Sequence, residues 1–389
     1  MGTIRELLTP QSKFNVSNKY LEIGDIDVTT HDYTIDKDKP IVKGAVKARK
    51  GTILISTVRP TRGAIVILRE SIYVSSALCQ VYIEDDSLRR YIYQYFLLPS
   101  FSKYMADNCE GGTYPTIKDE TIYNHKIELP FKEVIDFNSK LLKNFDDFIL
   151  SKKNEISILE NYKSTMLYKM FPKEGESVPE IRFKGFSGDW KKEVFGKLFV
   201  KLNNNSMSRD LLNYNSGDYK NIHYGDILIR YGFSIDVKNK IVPFVNEDVK
   251  VNEKKEDILK TGDVVFADTA EDTTAGKMVE IDNDEGNKVL AGLHTYPCRP
   301  LIKFEKGYLG VALNTYHFHN QLVPYMQGTK VTGFNYDYLC RIYVRYPNLD
   351  EQKEITNFFI NLDTMIENQE KEIKTLEHFK ATVLSKMFA

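Results

Sequence analysis

The feature that most constrains this chain is that it repeats itself. Residues 155–171, EISILENYKSTMLYKMF, return at residues 372–388 as EIKTLEHFKATVLSKMF, identical at ten of seventeen positions with an offset of 217. Repetition on this scale means a duplicated architecture and is to be settled before any local reading. Weaker matches extend upstream. Gly112-Thr113, ahead of IELP (127–130), corresponds to Gly328-Thr329, ahead of VRYP (344–347). Tyr104-Met105 corresponds to Tyr325-Met326, and GTILISTVRP (51–60) to GDVVFADTAED (262–272) in its order of Gly, apolar run and Thr. Each half is therefore a globular, strand-containing head followed by a long segment of alternating polar and apolar residues. A tandem duplication also accounts for a length of 389 residues, beyond the ~100–200 of one domain.

The periodic segments predict long helices. Residues 131–171 hold neither Gly nor Pro and lie between Pro130 and Pro172; residues 348–389, after Pro347, are equally free of both. Apolar residues fall three and four apart at Ile135, Leu142, Phe145, Ile149, Ile156, Leu159, Met166 and Met170. The second copy repeats the seam at Ile355, Phe359, Leu362, Ile366, Ile373, Leu376, Val383 and Met387. A period of 3.5 is that of a left-handed coiled coil. At 1.5 Å per residue each helix would reach ~60 Å. Lys152 and Lys163 in the first copy, and Gln369 and Lys380 in the second, interrupt the seam. Such polar positions either fix register and partner choice or snorkel outwards from an irregular stripe. About eighteen residues link the first helix to the second head, too few to travel comfortably back along a ~60 Å rod at ~3.3–3.6 Å each. Antiparallel pairing is expected, with a head at each end and a pseudo-twofold axis.

The expected fold class is thus α+β: two mixed α/β heads joined by two long helices in an antiparallel coiled coil. The boundaries are 1–130, head one; 131–172, long helix one; 173–346, head two with its linker; and 347–389, long helix two. Strands are expected at TILIST (52–57), AIVILRE (64–70), DILIRY (226–231) and DVVFAD (263–268), and further helices near 87–106 and 308–326.

Bulk charge is uninformative, since 53 basic and 54 acidic side chains leave −1. Its distribution is not. Between Ile41 and Arg69 stand Lys43, Lys47, Arg49, Lys50, Arg59, Arg62 and Arg69, with no acidic residue. Such a run is the electrostatic footprint of phosphate contact, or else a solvated strand pair. Within it, STVRPTRG (56–63) sets two arginines beside Ser and Thr in a Pro/Gly turn, which suits guanidinium forks aimed at guanine O6 and N7. The matching loop of head two, ADTAEDTTAGK (267–277), carries Asp268, Glu271 and Asp272 with Thr269, Thr273, Thr274 and Lys277. Its carboxylates suit cytosine N4 and its hydroxyls suit bases or phosphates, although a capped acidic turn would look the same. The candidate DNA contacts are therefore Lys43, Lys47, Arg49, Arg59 and Arg62 in head one. In head two they are Arg230, Tyr231, Thr269, Thr273, Thr274, Lys277 and Lys330. The second long helix is acidic, with five lysines against eight carboxylates.

Catalytic signatures are missing. There is no G-x-x-x-x-G-K-[ST], no G-x-G-x-x-G after a strand, no H-E-x-x-H and no N-P-P-Y-type motif. His317 and His319 form an H-x-H pair without a third clear ligand. The four cysteines, Cys79, Cys109, Cys298 and Cys340, form no C-x-x-C and are expected as free, buried thiols. With 42% hydrophobic and 28% charged residues the chain is not disordered. No apolar run approaches the ~20 residues of a membrane span, and MGTIRELLTPQSKF lacks a signal-peptide core, so a cytoplasmic location is expected.

VPEIRFKGFSGDW (178–190), the paired heads with helices ending in KMF, and GDVVFADTAEDTTAGK (262–277) together resemble the DNA specificity subunit of type I restriction-modification enzymes. The resemblance covers essentially the whole chain. It implies that the heads are target recognition domains, each reading half of a bipartite DNA site, with the helices as a ruler for the unread spacer. It further implies two modification subunits docked on the helical region and restriction subunits beyond them. S-adenosylmethionine, ATP and Mg belong to those partners, and this chain binds no cofactor. Head one departs from the pattern in lacking a PEIRF…GDW lead-in, so its N-terminal residues are expected to pack differently. The alternative is a coiled-coil scaffold for proteins, without DNA specificity.

Overall fold

A computed structural model describes residues 2–36, 38–238, 241–252, 257–284, 286–328 and 330–388. The chain forms two compact units, Met1–Lys153 with Lys371–Ala389, and Asn154–Glu370. The division falls inside both long helices, which run Lys132–Lys169 and Leu349–Met387. Their lengths follow from the want of Gly and Pro, and both start just after a proline. Every residue of the two apolar seams is buried or half-buried, while most residues between them are exposed.

Within each unit the two helical segments run antiparallel. In the first, Asp146 pairs with Lys380 at 2.6 Å and Lys152 with Glu372 at 3.0 Å, so one number rises as the other falls. In the second, Lys163 pairs with Asp363, and further along Phe171 meets Phe359 with ring centroids 6.5 Å apart. The offset of 217 carries Lys163 onto Lys380 and Asp146 onto Asp363, so one ion pair occurs once in each unit. The seam lysines are therefore half-buried and matched to a carboxylate of the other helix, the arrangement that fixes register. Gln369 is half-buried with its Oε1 buried and lacking a hydrogen-bond donor.

Each head is completed by the end of a long helix. In the first unit strand Ile53–Ser56 lies between Ile65–Ile67 and Leu78–Val81, both antiparallel to it. Ile53, Ile55 and Val81 pack on Tyr91, Phe96 and Phe101 of the helices Asp86–Phe96 and Pro99–Asp107. Phe388 closes this core against Tyr91 and Tyr95, with centroids 4.7 and 5.6 Å away. In the second unit a five-stranded sheet sets Val264–Ala267 between Thr295–Pro300 and Met278–Asn283. Phe171, the repeat partner of Phe388, packs there on Trp190 and Tyr308 at 5.7 and 6.4 Å.

The two N-terminal strands also match. Gly2–Thr3 pairs with Lys126–Ile127 in head one, as Glu193 and Val194 of strand Lys191–Val194 pair with Val344 and Tyr343 in head two. Ahead of that strand, head two has the PEIRF segment, whose Arg182 makes a two-pronged ion pair of 2.7 Å with Glu351. Glu351 is 1% exposed. The corresponding residue of the first helix is Val134, which is exposed.

Three local expectations fail. DILIRY is a helix, Tyr224–Ile229, not a strand. The His223 side chain accepts from Gly225 N at its start, and buried Asp226 receives both prongs of Arg209 at 2.8 and 2.9 Å. A carboxylate so held points inward, and a five-residue apolar run cannot by itself tell helix from strand. The helix expected over 87–106 is broken at Leu97-Leu98, because Pro99 disfavours a helical conformation in the residue before it. Residues 308–326 divide into Tyr308–Ala312, Tyr316–His319 and a turn at Val323–Tyr325, with Thr315 capping the middle piece.

Candidate nucleic-acid interface

The basic run of head one does not form one patch. Strands Ile53–Ser56 and Ile65–Ile67 are an antiparallel hairpin, so Arg59 and Arg62 stand at its loop while Arg49 and Arg69 stand at its open end. Lys47 lies on a neighbouring strand, Val46–Ala48, and Lys43 in a turn just before it, both exposed.

The loop is tightly built. Ser56 Oγ donates to Val58 O at 2.7 Å, and Thr57 Oγ1 donates to Ala77 O at 2.9 Å. Val58 forms a β-bridge with Thr116, and Arg59 N donates to Pro115 O at 2.7 Å. Arg59 is held left-handed at φ 48°, ψ 54°, ahead of the buried Pro60. A non-glycine residue there costs ~1–2 kcal/mol. Its guanidinium lies over the Tyr114 ring, 4.3 Å from the centroid, and Tyr114 is itself 65% exposed. Among the described residues neither Arg59 nor Arg62 makes an ion pair. The loop thus presents a fork of five donors stiffened by a ring, with no internal acceptor to satisfy it.

Head two builds the same loop pair. After Val264–Ala267 the chain forms a two-residue strand, Thr269–Ala270, paired with Thr332–Gly333. Thr116 and Gly333 are related by the offset of 217, so Val58 and Thr269 occupy one position in the two heads. Here the chemistry differs. Asp268 lies 3.3 Å from His294 Nδ1; burial pushes its carboxyl pKa up while the imidazole pulls it down. His294 is left-handed, at φ 56°. Asp268, Thr269, Tyr296, Tyr325, Gln327 and Tyr338 line a hollow of about 520 Å³.

The sequence candidates of head two are scattered over several environments. Thr273 is exposed, and Thr274 is exposed but its N and Oγ1 are turned onto Asp272 as a local cap. Thr269 Oγ1 donates to Thr332 O at 3.1 Å. Lys277 is half-buried, its Nζ donating to Leu228 O at 2.9 Å, and burial lowers its pKa. Arg230 is exposed beside the Tyr214 hydroxyl and 3.4 Å from Asp226. Lys330 is exposed; Thr329 beside it lies outside the described residues. Tyr231 is a correction: it is 3% exposed, its hydroxyl is buried without a partner, and its ring belongs to the core. Apolar neighbours on the Tyr224–Ile229 helix carry it inward.

Tyr114 was missed by sequence reasoning, as were Tyr82, Arg89 and Arg90 at the open end of the hairpin. The Gly112-Thr113 match marked the neighbourhood of Tyr114 without showing that its ring meets Arg59. The H-x-H pair is structural, His317 Nε2 donating to Tyr168 O at 2.7 Å and His319 Nε2 to Ala275 O at 2.9 Å. The cysteines are free, and burial raises the thiol pKa of Cys79 and Cys298. No described helix is long and apolar enough to cross a membrane.

The family described as type I restriction modification DNA specificity domain matches residues 5–161 and 188–378. The specificity subunit of the type I restriction enzyme MjaVIII of Methanocaldococcus jannaschii is 24% identical over 308 residues, 76% of this chain and 68% of that protein. The MjaIX specificity subunit of the same organism is 26% identical over 154 residues, 39% of this chain and 34% of that one. Among solved structures, a chain described under complex assembly and conformational transition of the type I R-M system aligns over 100% of this chain and 96% of its own. Its TM-score is 0.59 at 16% identity. The S subunit of a type I system from M. genitalium aligns over 100% and 95%, with TM-score 0.52 at 14% identity. At these identities the solved chains bear on the fold alone. A family match that takes in both heads and most of both long helices makes this chain a member of the type I restriction modification DNA specificity family.

Proposed function

We propose that this chain is the non-catalytic, DNA-reading subunit of a type I restriction-modification complex, each head taking one half of a bipartite site. The observation that carries the reading is the matched loop pair. The same bridge, Val58 to Thr116 and Thr269 to Gly333, supports an unpaired arginine in one head and a half-buried carboxylate in the other. A scaffold that binds only proteins has no need of one frame with two polar chemistries.

The long helices act as the ruler, an antiparallel coiled coil that sets the unread spacer and docks two modification subunits. Helices of 38 and 39 residues would each span ~57 Å, or at most about seventeen base pairs at ~3.4 Å per pair. S-adenosylmethionine is held by the modification subunits, and ATP with Mg by restriction subunits. The working place is the cytoplasm, where the host DNA lies.

Methylome sequencing of a host carrying this chain with its partners tests the reading. A two-part motif is expected, and Arg59→Ala should weaken or relax one half by ~1–3 kcal/mol while sparing the other. Equal loss at both halves would make Arg59 structural, and a chain that assembles with its partners but confers no motif would favour the protein scaffold.

A further inference from the structure

The open end of the head-one hairpin is built around positive charge. Arg49, Lys50 and Arg69 meet Arg89 and Arg90, from helix Asp86–Phe96, around a hollow of about 770 Å³. Two carboxylates offset these five cations. Asp86 is shared by Arg89 and Arg90, at 2.8 Å from Arg90 Nε, and Asp32 pairs with Arg69. Five less two leaves an excess of three positive charges, and among the described residues Arg49 and Lys50 have no carboxylate partner.

The cations are held in place. The Arg49 guanidinium lies over Tyr82, 5.2 Å from its centroid, and Arg69 over Tyr33 at 4.3 Å. Arg89 donates to Ile83 O at 2.8 Å. Gly51, at φ +85°, leaves room for it, since a Cβ there would stand 3.2 Å from Arg89 Cζ. Pre-placed guanidinium forks suit an anion with several acceptor oxygens and lose little side-chain freedom on binding it.

Head two spends its cations internally at the corresponding end. Arg299 is locked on the buried Asp263 at 2.7 and 2.8 Å, and Lys306 pairs with Asp282 at 3.1 Å. The four-residue strand Ile53–Ser56 sets the two ends of the head-one hairpin ~13 Å apart, close to the ~12 Å width of the major groove. A loop seated in the groove therefore brings the open end to a strand that borders it.

We propose that this hollow seats the phosphodiester backbone beside the first half-site, so that head one supplies most of the salt-sensitive part of DNA binding. The proposal rests on the reading of the chain as a DNA specificity subunit. Phosphate contacts position a protein on DNA without reading sequence, so the loop at Arg59 and the hollow have separable effects.

The test is equilibrium binding of the complete complex to a duplex carrying its own motif over a series of salt concentrations. Arg49→Gln/Lys50→Gln/Arg90→Gln is expected to reduce the slope of log K against log salt by about 2–3, at ~0.9 per phosphate released, with the methylated motif unchanged. Lys50→Gln alone, at an exposed and unpaired side chain, should reduce it by about 1 and guards against misfolding of the triple variant. Lys306→Gln in head two should leave the slope as it was. An unchanged slope in the triple variant would overturn the proposal, as would loss of a particular base from the motif. Failure to assemble with the modification subunits at an unchanged DNA slope would overturn it in favour of an acidic protein partner. Absence of sequence-dependent binding by the unsubstituted complex would overturn the DNA reading itself, and this proposal with it.

Discussion

At the end of strand Ile53–Ser56, head one turns out a guanidinium stiffened by a tyrosine ring and leaves two more cations of the same hairpin without carboxylates. At the end of Val264–Ala267, head two turns out a carboxylate beside a histidine and neutralises its cations with Asp263 and Asp282. The bridging residues, Val58 and Thr269, are nevertheless equivalent. Duplication has kept the frame, where packing is unforgiving, and let the loops diverge, where exposed side chains cost little to change. The sharpest structural difference lies at the start of the second helix, where Arg182 and Glu351 have no counterpart in head one.

Substituting Arg182 by Ala breaks this comparison most severely. It strands the buried Glu351 carboxylate, and losing one partner of a buried pair costs ~3–5 kcal/mol. Hydrogen exchange should show protection falling in residues 154–370 while residues 2–153 hold theirs. Equal loss in both would mean that the two units do not differ in the way their helices are anchored.

A second contrast is set by pH. Glu280 is buried and accepts from Gly307 N at 2.7 Å and Gly310 N at 2.8 Å, yet burial outweighs these donors and raises its carboxyl to about 7. The unfolded carboxyl titrates near ~4.5. Between these values the native state binds the extra proton, so the stability of this unit falls as pH rises from about 4.5 to 7, by up to a few kcal/mol. Arg69 stands at the corresponding place in head one and shows no such titration between those limits. Glu280→Gln should flatten the slope of denaturation midpoint against pH over that range; a slope that survives the substitution belongs to another group.

The smallest effect concerns the shared ion pair. Lys163→Met and Lys380→Met remove equivalent, half-buried partners of Asp363 and Asp146. Each should change stability by ~1 kcal/mol or less. Urea denaturation would show the two effects to be alike, whereas a large difference would mean that the helices are not equivalent across the repeat.

The repeat and the seam were legible because both are local regularities: a period of 3.5 residues and an offset of 217 survive in one dimension. Placement in the heads was not. Seven consecutive cations look like one patch until a hairpin folds Arg59 away from Arg49 and Arg69. Tyr114 lies 55 residues from the arginine it backs, and Glu351 is 169 residues from Arg182, separations that carry no sequence period. DILIRY misled because its aspartate is buried on a guanidinium seventeen residues upstream, which turned an apparent strand into a helix.

The central claim is that one helical frame holds two independent readers apart. Insertion of one heptad after Lys153 and another after Glu370, where the two units divide, adds ~10.5 Å to each helix while keeping its seam in phase. Methylome sequencing of the assembled complex should then return both half-sites unchanged, with a spacer longer by about three base pairs. An unchanged spacer with the same half-sites would contradict the account.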